Sequence, residues 1–127
     1  MHIEHAALYA RDLKGARDFF VRYFEAVVGP LYHNPRMGFR SYFLSLDEGA
    51  RLELMCRPEL ADGEKDLLQV GWAHLAVSLG SPDEVNRLTA HLAADGYEVT
   101  SGPRTTGDGY YESCVLGPED IPIELTV

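Results

Sequence analysis

Residues 71–96 read GWAHLAVSLGSPDEVNRLTAHLAADG, an alternating segment followed by a helix with marked ends. Over 71–79 the side chains divide by parity, with Ala73, Leu75, Val77 and Leu79 on one face and Trp72, His74, Ala76 and Ser78 on the other. The first set is the expected core face. Ser81 at the N-cap, Pro82 at the first helical position and Glu84 two further on form a capping box, which fixes a predicted helix start. Val85, Leu88, Leu92 and Ala93 give the buried stripe of that helix, and Gly96 ends it.

The same order occurs once before. Residues 3–10 alternate as a strand, closed by Arg11 and Asp12. Ala16, Phe19, Phe20, Tyr23, Phe24 and Val27 then form one apolar helical stripe that Gly29 and Pro30 are expected to stop. Three strand candidates follow each helix: around 31–33, 38–46 and 50–57 in the first half, and at 97–100, 110–116 and 121–127 in the second. Each half therefore reads βαβββ. The predicted fold is α+β: two tandem βαβββ modules, about 1–57 and 70–127, forming a curved, barrel-like mixed sheet with the helices outside. The polar stretch PELADGEKDLLQ at 58–69 is the expected linker within a single domain, 1–127. A repeat present only twice points to a pseudo-twofold closed body rather than to a solenoid.

At 127 residues and 46% apolar composition, the chain is long enough for a core that needs neither disulfide nor metal to hold it. A metal here would serve chemistry. Twenty acidic against 11 basic side chains give a net charge of −9, which argues against a nucleic-acid partner. The opening residues lack a basic segment and a long apolar run, so neither a signal peptide nor a membrane span is expected. Cys56 and Cys114 read as reduced thiols, in keeping with a cytoplasmic location.

Parity singles out four residues. Leu52, Leu54 and Cys56 are expected inward, placing Glu53 with Arg51, Met55 and Arg57 on the opposite face. Ile123, Leu125 and Val127 likewise oppose Glu124, and Ala6 and Leu8 oppose His5. His5 and His74 are 69 positions apart, Glu53 and Glu124 71. A lone strand histidine or glutamate is usually a solvated or satisfied residue. Two His/Glu pairs of the same parity, on the first and last strands of both halves, form a set. If the halves face each other, two imidazoles and two carboxylates converge, a ligand set for a divalent transition metal. Such a face, also carrying Ile3, Tyr9, Met55 and Trp72, describes a binding cavity.

This duplication, with His on the first strand and Glu on the fourth of each module, resembles the vicinal oxygen chelate superfamily: glyoxalase I, fosfomycin- and bleomycin-resistance proteins, extradiol dioxygenases and methylmalonyl-CoA epimerase. The resemblance spans the chain and is nearest to small bacterial glyoxalase I-like (lactoylglutathione lyase-like) proteins. It is carried by HAALYARDLKGARDFF from His5, GFRSYFLSLDEGARLELM around Glu53, GWAHLAVS around His74, and SGPRTTGDGYYESCVLGPEDIPIEL ending at Leu125. The usual family turn before the last strand is replaced here by Gly117, Pro118, Glu119, Asp120, Ile121 and Pro122, while the glutamate position is kept.

The resemblance implies His5, Glu53, His74 and Glu124 as metal ligands, the ion being zinc, nickel, manganese, cobalt or iron. It implies a lyase or isomerase acting on the thiol adduct of a 2-oxoaldehyde, or a similar vicinal-oxygen substrate, through a metal-stabilised enediolate. Glu124 is then the favoured base and Glu53 its counterpart, with a low-molecular-weight thiol as possible co-substrate. Family members often build each site across a homodimer, and closure within one chain is the alternative. A fosfomycin-type enzyme would ligate through His5 or its neighbour, His74 and Glu124, freeing Glu53 as base. A metal-free bleomycin-resistance-like binding protein is the non-enzymatic alternative, and ferrous ring cleavage suits longer chains.

Other residues carry weaker signals. Arg36, Arg40, Arg51, Arg57 and Arg104 are candidates for holding anionic groups or for simple solvation. Tyr110 and Tyr111 in GDGYYES suggest either a mobile aromatic lid or sheet packing, and Trp72 and Phe39 either line a pocket or fill it. His2, His33 and His91 lack paired counterparts, and the face of Cys114 is undecided.

Overall fold

In the computed structural model, which describes residues 1–63, 66, 68 and 70–127, the two halves of the chain separate into units Met1–Gly63 and Glu64–Val127. The first unit contains β1 (His5–Tyr9), α1 (Leu13–Phe24), β2 (Val27–Val28), β3 (Tyr32–Asn34), β4 (Phe39–Ser45) and β5 (Arg51–Cys56). Its sheet runs β1-β5-β4-β2, with β3 also paired to β4. β1 is parallel to β5, and the remaining pairs are antiparallel.

Alternation in β5 follows the predicted parity: Leu52, Leu54 and Cys56 are buried, while Arg51, Glu53 and Met55 are only partly covered. α1 packs against β5 and β4, bringing Leu13, Ala16, Phe19 and Phe20 onto this face. Each large apolar side chain so buried contributes about 1.5–3 kcal/mol. A one-residue slip of β5 would lose several such contributions together, so its register, and with it the facing of Glu53, is strongly specified.

α1 begins where Asp12 accepts a hydrogen bond from the Gly15 N–H at 2.8 Å. Its end differs from expectation. Glu25 turns into the left-handed region at φ 54°, and its N–H reaches the Phe20 carbonyl, so the helix stops at Phe24 rather than at Gly29. Val27 leaves the helical stripe and, together with Val28, pairs with Ser45 and Leu44 as β2. Two consecutive β-branched residues beside an available strand edge favour that outcome. The second strand of this module is thereby split in two, β2 and β3, around Gly29 and Pro30.

The second unit contains β6 (Leu75–Ser78), α2 (Pro82–Ala94), β7 (Val99–Thr105), β8 (Tyr111–Leu116) and β9 (Pro122–Thr126), in a sheet ordered β6-β9-β8-β7. β6 is parallel to β9, as β1 is to β5, so both units share one plan. Val85, Leu88 and Leu92 of α2 are buried, with Val115, Ile123 and Leu125 of the sheet. The Ser81 hydroxyl accepts from the Glu84 N–H at 3.3 Å, giving the predicted N-cap.

Two boundaries shift. The strand expected over 71–79 is confined to β6, so Ala73, assigned to the core face, is exposed. β7 runs five residues beyond the expected end, through Gly102 and Pro103. Glycine and proline normally break strands, but β7 lies at a sheet edge and its pairing with β8 shifts register around both residues. Gly102 has φ +77°, and a side-chain carbon there would lie 2.5 Å from the Glu112 carbonyl.

The described architecture is α+β, two α-helices with two mixed sheets. Of the expected linker 58–69, residues 64, 65, 67 and 69 lie outside the described residues. Its beginning is fastened to the first unit, because Arg11 donates to the Leu60 carbonyl at 2.9 Å and to Asp62 at 3.0 Å. Among the described residues no helix is long and apolar enough to cross a membrane.

Candidate metal centre

Both His/Glu pairs are built by the same register. In the parallel β1–β5 pair, Ala7 stands opposite Glu53, and His5 lies two residues before Ala7 on the same face. In β6–β9, Ala76 stands opposite Glu124, and His74 lies two residues before Ala76. His74 thus precedes β6 instead of lying within it. His5 Nε2 is 3.9 Å from Glu53 Oε2, and His74 Nε2 is 3.3 Å from Glu124 Oε2. The glutamate side chains are 15% and 19% exposed, the histidines 39% and 41%, so each unit presents a half-covered carboxylate beside a more open imidazole.

Burial explains the facing. Glu53 lies between Leu52 and Leu54, and Glu124 between Ile123 and Leu125, all four of which are essentially buried. Anchoring those flanking residues under the helix turns each glutamate to the opposite side. Among the described residues no three His, Cys, Asp or Glu side chains gather as an ion site, so each unit provides one pair.

The first pair has a surround that sequence reasoning missed. Glu4 Oε2 engages His5 Nδ1, and Glu4 Oε1 accepts from Arg51. The Arg51 guanidinium lies 4.2 Å over the Phe43 ring, whose edge-to-face contact with His5 has a 5.3 Å centroid separation. Hydrogen bonding to His5, then to Arg51, holds the Glu4 carboxyl below its ordinary value. Strict alternation would send Glu4 away from its neighbour His5. It precedes β1, however, where the alternation rule does not apply.

The other candidates separate by face. Cys114 is the cross-strand partner of Glu124, as Phe43 is of Glu53, which places Cys114 on the glutamate face. Arg104, opposite Glu112 in β7–β8, lies 3.9 Å from its carboxylate. Arg40 stands opposite Cys56 and contacts its sulfur at 3.7 Å, on the side away from Glu53. Arg57 is bonded to Glu59 at 2.9 Å, and the Arg36 N–H donates to the Asn34 side chain. The Tyr111 hydroxyl donates to Asn86 of α2 at 2.8 Å, tying it to the helix side, whereas Tyr110 is exposed. Trp72 is exposed and Phe39 packs against Tyr32. His2 and His33 are exposed, and His91 lies 3.3 Å from Asp95.

The sequence profile of the Glyoxalase/Bleomycin resistance protein/Dioxygenase superfamily matches residues 2–125. The chain belongs to this superfamily. Among solved structures, a glyoxalase family protein from Enterococcus faecalis superposes on this superfamily member with a TM-score of 0.79 at 22% identity, covering 98% of this chain and 96% of the other. A possible glyoxalase from Bacillus cereus gives 0.70 at 22% identity, covering 100% and 99%. The trypanothione-dependent glyoxalase I of Leishmania major gives 0.79 at 18% identity, covering 99% and 86%. At these identities the likeness to other members of the superfamily is one of fold. No curated protein matches the sequence.

Proposed function

We propose that this chain is a divalent-metal-dependent lyase or isomerase of the glyoxalase I type, acting as a homodimer on the thiol adduct of a 2-oxoaldehyde or a similar vicinal-oxygen substrate. His5, Glu53, His74 and Glu124 are the proposed ligands. The observation that carries this reading is the repeated register: in both units a histidine two residues before the glutamate's strand partner presents Nε2 to that glutamate.

The donor chemistry fits a dication. Two imidazole nitrogens, which are borderline donors, and two carboxylates, which are hard ones, together suit zinc, nickel, manganese, cobalt or iron, and the two negative charges offset the ion. When bound, such an ion acts as a Lewis acid toward adjacent substrate oxygens and acidifies the neighbouring C–H.

The residues of the chain then divide the work. His5 and His74 hold, while Glu53 and Glu124 are the groups able to carry a proton between adjacent carbons. Glu124 is the proposed base and Glu53 its pseudo-symmetric counterpart. Their partial cover, 15% and 19% exposed, keeps the carboxylates beside the reacting face while limiting water. Arg51, within the Glu53 strand β5, and Arg104, on β7 one strand beyond β8 from the Glu124 strand, are the cations proposed to favour anionic substrates.

Protein purified without a chelating tag should contain about one ion per four-ligand set. Loaded in turn with each metal, it should turn over methylglyoxal in the presence of one of several thiols. Glu124→Gln and Glu53→Gln should each lower turnover by about 100-fold or more while retaining part of the metal. A reproducibly metal-free protein that binds drug-like ligands would overturn the enzymatic reading, and full activity in both variants would reject the assigned bases.

A further inference from the structure

We infer that Glu4, braced by Arg51, is a positioning residue that fixes the His5 imidazole with its proton on Nδ1 and leaves the Nε2 lone pair facing Glu53. A neutral imidazole carries one N–H, and the acceptor within reach decides which nitrogen bears it. Two carboxylates compete here. Glu4 is in hydrogen-bond contact with Nδ1, whereas Glu53 stands 3.9 Å from Nε2, beyond hydrogen-bonding distance. The proton therefore resides on Nδ1, and two lone pairs, on Nε2 and on Glu53, are left facing one another. A cation can join such a pair.

Glu4 is itself held in place. Its carbonyl accepts from the Arg51 N–H at 3.0 Å, extending the β1–β5 ladder by one bond. Its two carboxylate oxygens are divided, one to His5 and one to Arg51, so both are occupied without a metal. Arg51 is in turn stacked on Phe43, and Phe43 meets the edge of His5. Glu4, Arg51 and Phe43 thus close a ring with the His5 imidazole. Carboxylates behind metal-bound histidines fix the tautomer and raise ligand basicity.

The second half-site is built without this ring. Ala73 precedes His74 where Glu4 precedes His5, and Cys114 stands opposite Glu124 where Phe43 stands opposite Glu53. By continuation of the β6–β9 register, Pro122 occupies the place of Arg51. The pseudo-symmetric halves are therefore unequal in preorganisation, with His5 set before any ion arrives.

Only the consequence for metal affinity rests on the function proposed above; the tautomer can be read without a metal. Long-range 1H–15N spectra of the metal-free full chain at about pH 8, where imidazole is neutral, should show His5 protonated on Nδ1. Glu4→Ala should move His5 toward the Nε2–H form without changing His74. It should also weaken Zn²⁺ binding, measured by competition with a chromophoric chelator, by about 10–100-fold. Glu4→Gln offers one amide oxygen to the two donors His5 Nδ1 and Arg51, so it should hold the tautomer only in part and fall between the unsubstituted protein and Glu4→Ala in Zn²⁺ affinity. An Nε2–H form of His5 in the unsubstituted protein, or a Glu4→Ala variant with either tautomer or Zn²⁺ affinity unchanged, overturns the inference. If the unsubstituted protein takes up no Zn²⁺, the metal reading falls, and the spectra alone still decide the role of Glu4.

Discussion

Glu124 and Leu125 are chain neighbours with opposite duties. Leu125 is fully buried under α2, and Glu124 is turned to the other face beside His74. Leu125→Ala should cost about 2–5 kcal/mol of stability, because the cavity left in a packed core relaxes only partly. Glu124→Gln should change stability by less than about 1 kcal/mol, since a partly exposed pair contributes little. Urea unfolding of the two variants tests the contrast, and comparable losses in both would contradict the assigned facing. This division was legible in the sequence because the Leu-Glu-Leu run around Glu53 and the Ile-Glu-Leu run around Glu124 leave one consistent parity. Glu4 was not, because a residue just before a strand obeys no parity, and its role depends on Arg51, which lies 47 positions away. Cys114 was undecidable alone and is placed by its pairing with Glu124.

At the scale of elements, the helices show how local signals translate. The capping box predicted for α2 is half realised: Ser81 caps Glu84, whereas the Glu84 carboxylate bonds to Arg87 at 2.8 Å. Ser81→Ala should therefore cost about 1 kcal/mol, lowering the urea midpoint, with no change expected in metal content. In α1, Lys14 and Arg17 bond to Asp18 at 2.7 and 2.8 Å and hold its carboxyl below the ordinary value of 3.8, Lys14 first. A carboxyl depressed in the folded state stabilises fully above its unfolded value and loses that contribution as pH falls through the folded one. The unsubstituted protein should then be more stable than Asp18→Asn at neutral pH, and their urea midpoints should converge on acidification below 3.8. A gap that persists unchanged to about pH 2 would contradict the assignment. The end of α1 was misread because Val27 satisfies the helical stripe as well as it satisfies a strand, and only the β4 edge decides between them.

At the scale of the whole molecule, duplication sets the question of assembly. Each His/Glu pair is complete within its own unit, His5 and Glu53 in Met1–Gly63, His74 and Glu124 in Glu64–Val127. The repeated strand and helix pattern made that division legible. How four ligands are drawn from the pairs is not written in strand parity, which speaks only of facing within a sheet. The proposed homodimer gives a direct test. His5→Ala should inactivate through the first unit and His74→Ala through the second. If each site combines one unit from either chain, a heterodimer of the two variants holds one site with both lesions and one with neither. Random re-pairing of an equal mixture should then restore about a quarter of the unsubstituted turnover, since half the dimers are mixed and half their sites intact. Closure within each chain predicts no recovery, because every chain carries a lesion in its only site. Metal content should follow turnover, so a rise in activity without a matching rise in bound ion would count against the four-ligand set itself.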